Sequence, residues 1–308
     1  MYRSSSVVGT VLALTVVVTA VCVSGGPAYG AGVQVSVASS FNSDDVLRYS
    51  GGAFTTPGIS YDNSASGGSV DNWMVTQSAA NQLASSQGGS AIGINDNGLY
   101  PASGARLYDV QLGFTNATPT GTNVAIRSNA AGSFSFNVPN YQYSQFAIFG
   151  SGGSGNSTLT ITLNYSSGSP TVLTNVTLPD WYSGNPSTTA AGAAGTYFAL
   201  TTPMSRQAAY RFPASGYQVP SSGGAYIYGI NLAPDSTRVL TSVAVSFTPQ
   251  SVGYTVANFL TAAGAIAATS SVPAPSPVPA LSTLGLVLLA AGLSLVCWFS
   301  LRRRRETF

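Results

Sequence analysis

The chain has 308 residues, 44% hydrophobic and only 6% charged, with no lysine or histidine and a formal net charge of +2. Four of the eleven basic residues sit together at Arg302, Arg303, Arg304 and Arg305, while residues 31–269 hold six arginines against eight aspartates; with no basic cluster there to neutralise phosphates, nucleic-acid binding is not expected. The two cysteines, Cys22 and Cys297, lie near the two ends, so the long stretch between them can form neither a disulfide nor a thiolate metal site, and without His, Lys or Cys it lacks the groups of activated-serine and zinc chemistry.

In chain order, Tyr2-Arg3, an uncharged run over residues 7–23 and Pro27-Ala28-Tyr29-Gly30 predict a secretory signal peptide over residues 1–30, with a small-residue cleavage site. Residues 31–269 then read as the exported part, long enough for one large or two small β domains. Low charge with abundant Gly, Ser, Thr and Asn invites a disordered reading, but the stretch is too rich in Tyr, Phe, Val and Ile for that.

Short strands are expected at residues 33–38, 107–114, 123–127, 133–138, 145–150, 196–200, 207–212, 225–232, 238–247 and 254–259. The plainest signal is Leu159-Thr160-Ile161-Thr162-Leu163-Asn164-Tyr165, where every second residue is apolar. A turn at Ser167-Gly168-Ser169-Pro170 joins it to residues 172–178 as a hairpin. Helix is expected only at residues 76–85 and, frayed, at 261–268. Short strands between Gly, Pro, Asn and Ser clusters point to a mainly β fold, an antiparallel β-sandwich or jelly roll.

Two constellations in the exported part carry chemistry. Asn95-Asp96-Asn97-Gly98 is oxygen-rich and a weak calcium candidate, although Asn-Gly also supplies the positive φ of a tight turn; Asp44-Asp45 has the same ambiguity. Asp180-Trp181-Tyr182 offers a carboxylate beside aromatic faces, the combination that binds sugars; the plainer alternative is a tryptophan that caps the core. Trp73 and Tyr141, Tyr143, Tyr226 and Tyr228 read as core or strand residues. No catalytic residue, metal site or cofactor is assigned.

Prolines 273, 275, 277 and 279 alternate through residues 270–279, an extended spacer reaching roughly 25–30 Å at about 3 Å per residue. Residues 281–301 are uncharged, and at about 1.5 Å per residue they span about 30 Å, the hydrocarbon thickness of a bilayer. They predict a transmembrane helix, with the four arginines holding its far end on the cytoplasmic side.

Val278-Pro279-Ala280-Leu281-Ser282, followed by Gly285-Leu286-Val287-Leu288-Leu289-Ala290 and by Leu301-Arg302-Arg303-Arg304, resembles the IPTL-CTERM sorting domain, a relative of the PEP-CTERM tails. Ala280 stands where that family usually has Thr, and Leu284 where many members have an aromatic residue. The resemblance covers residues 278–305 and implies an exosortase-type membrane transpeptidase as partner. It also implies a route through the inner membrane to the envelope, the cell surface or the medium.

A second, softer resemblance runs through Ser144-Gln145-Phe146-Ala147-Ile148-Phe149-Gly150, the 158–169 strand and turn, Val176-Thr177-Leu178-Pro179-Asp180-Trp181-Tyr182 and Arg238-Val239-Leu240-Thr241-Ser242-Val243-Ala244-Val245. These segments are similar to the galactose-binding-like jelly roll of exported modules. The expectation is thus a non-enzymatic exported envelope protein with a structural or adhesive role. A carbohydrate-binding module that meets extracellular polysaccharide is the alternative, and an aspartate-only glycan hydrolase stands third.

Overall fold

Leu159, Ile161 and Leu163 are fully buried in the structure, whereas Thr158 before them and Thr160 between the first two are exposed, as the two-residue period requires. The structure, a computed structural model, describes residues 32–35, 37, 46–55, 61, 70–87, 92–113, 126–182, 189–201, 209–213 and 225–268. The expected signal peptide (1–30), Pro-rich spacer (270–279) and sorting tail (278–305) with its apolar segment 281–301 lie outside the described residues. Among those described, no helix is long and apolar enough to cross a membrane.

In chain order the elements are β1 (Gly32–Val35), β2 (Val46–Ser50), β3 (Ala53–Thr55), β4 (Val70–Val75), α1 (Gln77–Gln87), β5 (Leu99–Tyr100), β6 (Val110–Gln111), β7 (Ile126–Ser128) and β8 (Gly132–Tyr141). They continue with β9 (Tyr143–Gly153), β10 (Ser157–Tyr165), β11 (Thr171–Leu178), β12 (Tyr197–Ala199), β13 (Ala209–Pro213), β14 (Tyr228–Asn231), β15 (Leu240–Pro249) and β16 (Val256–Ile266).

Two antiparallel sheets form the sandwich. The outer one has the order β11-β10-β15-β8; the central one has β1-β16-β9-β14-β12, with β7 also paired to β16. Phe136, Leu159, Ile161, Val243 and Val245 of the outer sheet meet Phe146, Ile148, Ile230 and Phe259 of the central sheet in one apolar core. The fold is therefore mainly β with an antiparallel sandwich at its centre, as the alternation predicted.

The central sheet is covered on its second face as well. On β9, Phe146 and Ile148 enter the sandwich core, while Ala147 and Phe149 enter another, formed with Leu47, Met74, Ala79, Leu83 and Val110. This third layer consists of α1, the β5–β6 ribbon and a small sheet of order β13-β4-β2-β3 whose β2–β4 pair is parallel. Helix α1 falls where helix was expected. Thr76 caps it, its Oγ1 accepting a hydrogen bond from the Ala79 N–H at 3.4 Å.

The sandwiching corrects one expectation. Residues 261–268 do not form a helix: most of them lie in β16, which pairs with β9 on one edge and with β1 and β7 on the other. Thr261-Ala262-Ala263-Gly264-Ala265 has helical propensity, but every residue of β16 is buried, and side chains this small suit a strand packed on both faces. A bulge at Leu260, between the pairs Phe259↔Gly150 and Thr261↔Phe149, lets the strand serve both cores.

The expected strand at 107–114 shrinks to β6. The chain before it is a turn pinned by the buried guanidinium of Arg106, which donates to the carbonyls of Tyr100 (3.1 Å), Pro101 (2.7 Å) and Tyr108 (2.6 Å).

Candidate functional site

Three connections meet at one end of the sandwich. Between β9 and β10 the chain turns through Ser154 (φ 56°) and Gly155 (φ 131°), the second a backbone conformation open in practice only to glycine. Beside it, β11 runs out into Pro179-Asp180-Trp181-Tyr182, and residues 250–255 join β15 to β16.

Backbone hydrogen bonds lock these pieces together. The Gly152 N–H donates to the Pro179 carbonyl at 2.7 Å, the Trp181 N–H to the Gly152 carbonyl at 2.9 Å, and the Gln250 N–H to the Asn156 carbonyl at 2.9 Å.

Asp180 is the hub. Its Oδ1 accepts from the Tyr182 N–H at 2.8 Å and its Oδ2 from the Gly155 N–H, while its own N–H donates to Asn156 Oδ1 at 2.8 Å. Burial pushes the carboxyl up from its ordinary value of 3.8; the N–H donors of Tyr182 and Gly155 pull it down without cancelling that rise. Gly155, Asn156, Asp180, Tyr182 and Gln250 line an open cleft of about 340 Å³.

Of the three residues expected to bind sugar, the fold brings Asp180 and Tyr182 to this cleft and takes Trp181 away. Trp181 is 0% exposed, its ring 4.6 Å from that of Tyr61 and 4.7 Å from that of Tyr182. Its indole has no face to offer a ligand, so the core-capping alternative describes it. The reason is local: Trp181 pairs through its backbone with Gly152 and Tyr226, and Asp180 and Tyr182 on either side remain only partly buried. The indole N–H has no hydrogen-bond partner among the described residues.

Neither Asn156, read as surface loop polarity, nor Gln250 was expected at a binding site. They lie 94 residues apart, and only the meeting of the β9–β10 and β15–β16 turns puts the Asn156 N–H within 3.3 Å of Gln250 Oε1. A Gly-Asn turn and a polar residue at a strand end are too common to mark a site by themselves.

The calcium candidates form a turn. The Gly98 N–H donates to the Asn95 carbonyl at 2.8 Å with Gly98 at φ 67°, and both Asp96 oxygens accept from Ser78, from its N–H at 2.8 Å and its hydroxyl at 2.6 Å. Asp96 thus caps the start of α1, where a carboxylate is favoured by the helix dipole. Asn97 Oδ1 accepts from the Leu99 N–H at 3.0 Å. No group of three or more His, Cys, Asp or Glu side chains placed to hold a metal ion occurs among the described residues. Asp44 and Asp45 lie outside those residues.

Tyr143 and Tyr228 are fully buried and Tyr226 nearly so, in keeping with core roles. Trp73 lies on β4. No protein-family profile and no curated protein matches the chain. Chemically, the cleft presents one carboxylate, side-chain amides and a tyrosine, a set that exchanges hydrogen bonds with hydroxyl groups.

Proposed function

We propose that the chain is an exported cell-envelope protein in which a signal peptide over residues 1–30 directs secretion and residues 278–305 form an IPTL-CTERM-like sorting tail. In this reading a transmembrane helix at residues 281–301 holds the protein in the inner membrane until an exosortase-type transpeptidase acts on the tail. The β cargo, whose strand order we read as a jelly roll, then serves a structural or adhesive role at the surface. The observation that carries the proposal is the order of parts at the C-terminus: Val278-Pro279-Ala280-Leu281-Ser282, an uncharged apolar run, then four arginines.

The test is fractionation of cells that carry a matching exosortase, combined with the mass of the mature C-terminal peptide. Processing near residues 278–282 and recovery of residues 31–269 outside the cytoplasm are expected. Neutralising Arg302, Arg303, Arg304 and Arg305 together should impair retention and processing. Intact protein in the cytosol, or a neutralised variant handled like the wild type, contradicts the proposal.

A second reading, a carbohydrate-binding module delivered by the same route, is favoured by the cleft around Asp180, where polar groups converge at the end of a rigid sandwich.

A further inference from the structure

We infer that the loop end of the sandwich opposite Gly32 and Ile266 is the recognition end of the protein, and that its cleft takes a unit of a neutral, hydroxyl-rich polymer, a glycan. This deepens the carbohydrate-binding reading and rests on it. It relocates the contact from Trp181 to Asp180, Asn156, Gln250 and the exposed turn beside them.

The direction of β16 fixes the geometry. The strand starts at the 250–255 turn beside the cleft and runs roughly 35 Å, at about 3.3 Å per residue, to Ile266 at the opposite end. There Gly32 at the start of β1 pairs with Ala265, so the chain enters and leaves the sandwich at the same end. The described chain therefore leaves the sandwich at the end opposite the cleft.

The cleft end also carries two exposed apolar side chains. Val252 is 68% and Tyr254 52% exposed, both on the turn that carries Gln250. That turn is not loose: the Tyr254 N–H donates to the Ser251 carbonyl at 3.0 Å, the Gly253 N–H to the Asn129 carbonyl at 2.9 Å, and the Thr255 hydroxyl to the Ser154 carbonyl at 3.1 Å. A tyrosine held this way gives an aromatic face at little conformational cost.

The chemistry of the lining selects the ligand. Among the described residues no arginine lines the cleft, and the protein has no lysine or histidine, so an anion finds no counter-charge among them. Asp180 is the one carboxylate among the lining residues, and each of its oxygens already accepts a backbone N–H; a calcium ion, which takes six to eight oxygens, is poorly served. An apolar ligand would strand the amides and the carboxylate. A sugar hydroxyl suits them, because each carboxylate oxygen keeps a second acceptor position and the Gln250 amide both donates and accepts. The volume of about 340 Å³ is at the small end for ligand sites and suits a single ring of a longer chain.

The experiment uses the full chain purified in detergent, with retention measured on cellulose, chitin, dextran and xylan, and on anionic alginate as the charged comparison. Retention on at least one neutral polysaccharide is expected, weakened about tenfold or more by Gln250→Ala and by Tyr254→Ala. It should be unchanged by Val172→Ser on the outer sheet, and alginate should not bind. Melting curves of all three variants check that the fold is kept. Retention by alginate alone, or by none of the polymers, overturns both the inference and the carbohydrate reading. Neutral-glycan binding indifferent to Gln250→Ala and Tyr254→Ala overturns the inference and leaves the carbohydrate reading standing at another surface. Neither outcome depends on the sorting tail, which the fractionation experiment tests separately.

Discussion

Trp181 and Asp180 are neighbours with opposite fates, and each gives a measurable consequence. The indole fills space between Tyr61, Tyr182 and the central sheet, so Trp181→Ala should cost about 3–5 kcal/mol by denaturant unfolding. Trp181→Phe should cost less, because it also removes an indole N–H that lacks a partner.

Asp180 and Asp235 should titrate with opposite signs. Asp235 accepts from the Thr237 hydroxyl at 2.6 Å and the Thr237 N–H at 2.9 Å, and these bonds, with Arg238 nearby, hold its carboxyl below the ordinary 3.8. Its contribution to stability is full above that value and is lost as pH falls through the lowered one. Asp180 titrates above its ordinary value, so its contribution is full below pH 3.8 and is lost as pH rises through the raised value. Urea midpoints measured between about pH 2 and pH 7 should show Asp235→Asn flattening the loss of stability below pH 3.8 and Asp180→Asn flattening the loss of stability as pH rises above it. Identical profiles for the two variants would contradict these assignments.

At the scale of elements, β9 and β16 decide the architecture. Gly150 lies so close to the Asn258 carbonyl of β16 that a Cβ would run into backbone with no room to yield. Gly150→Ala should therefore unfold or severely destabilise the protein, whereas Val172→Ala, at a site 51% exposed, should change the melting temperature little. The β10–β11 hairpin was legible from sequence because one of its faces is wet, and alternation reports that directly. Strand β16 was not: with both faces buried it has no alternation, and its alanines read as helix. Strands β2, β3 and β4 of the third layer escaped notice for a related reason, whereas β13 falls where a strand was expected at residues 207–212. β2 and β4 owe their burial to α1 and the central sheet, and neither β2 nor β4 carries a pattern that announces those partners.

For the whole molecule, the exposed 250–255 turn makes export testable. If the tail anchors the protein with its β part outside the inner membrane, Val252→Cys, at a site 68% exposed, should react with a membrane-impermeant maleimide in cells whose inner membrane is intact. The background is low, since Cys22 falls within the expected signal peptide and Cys297 within the expected membrane segment. An unreactive Val252→Cys in a folded protein would place the tip elsewhere.

What the residues determined unaided was the mainly β class, the hairpin, the short helix and the absence of His, Lys and Cys from the middle of the chain. These follow from local periodicity and inventory, which need no partner. Only the tertiary structure decided that the sandwich carries a third layer, that Trp181 is sealed inside, and that Asn156, Asp180 and Gln250 share a cleft. Each of those depends on which distant segments meet, and burial and hydrogen bonding across tens of residues leave no regular trace in the order of the chain.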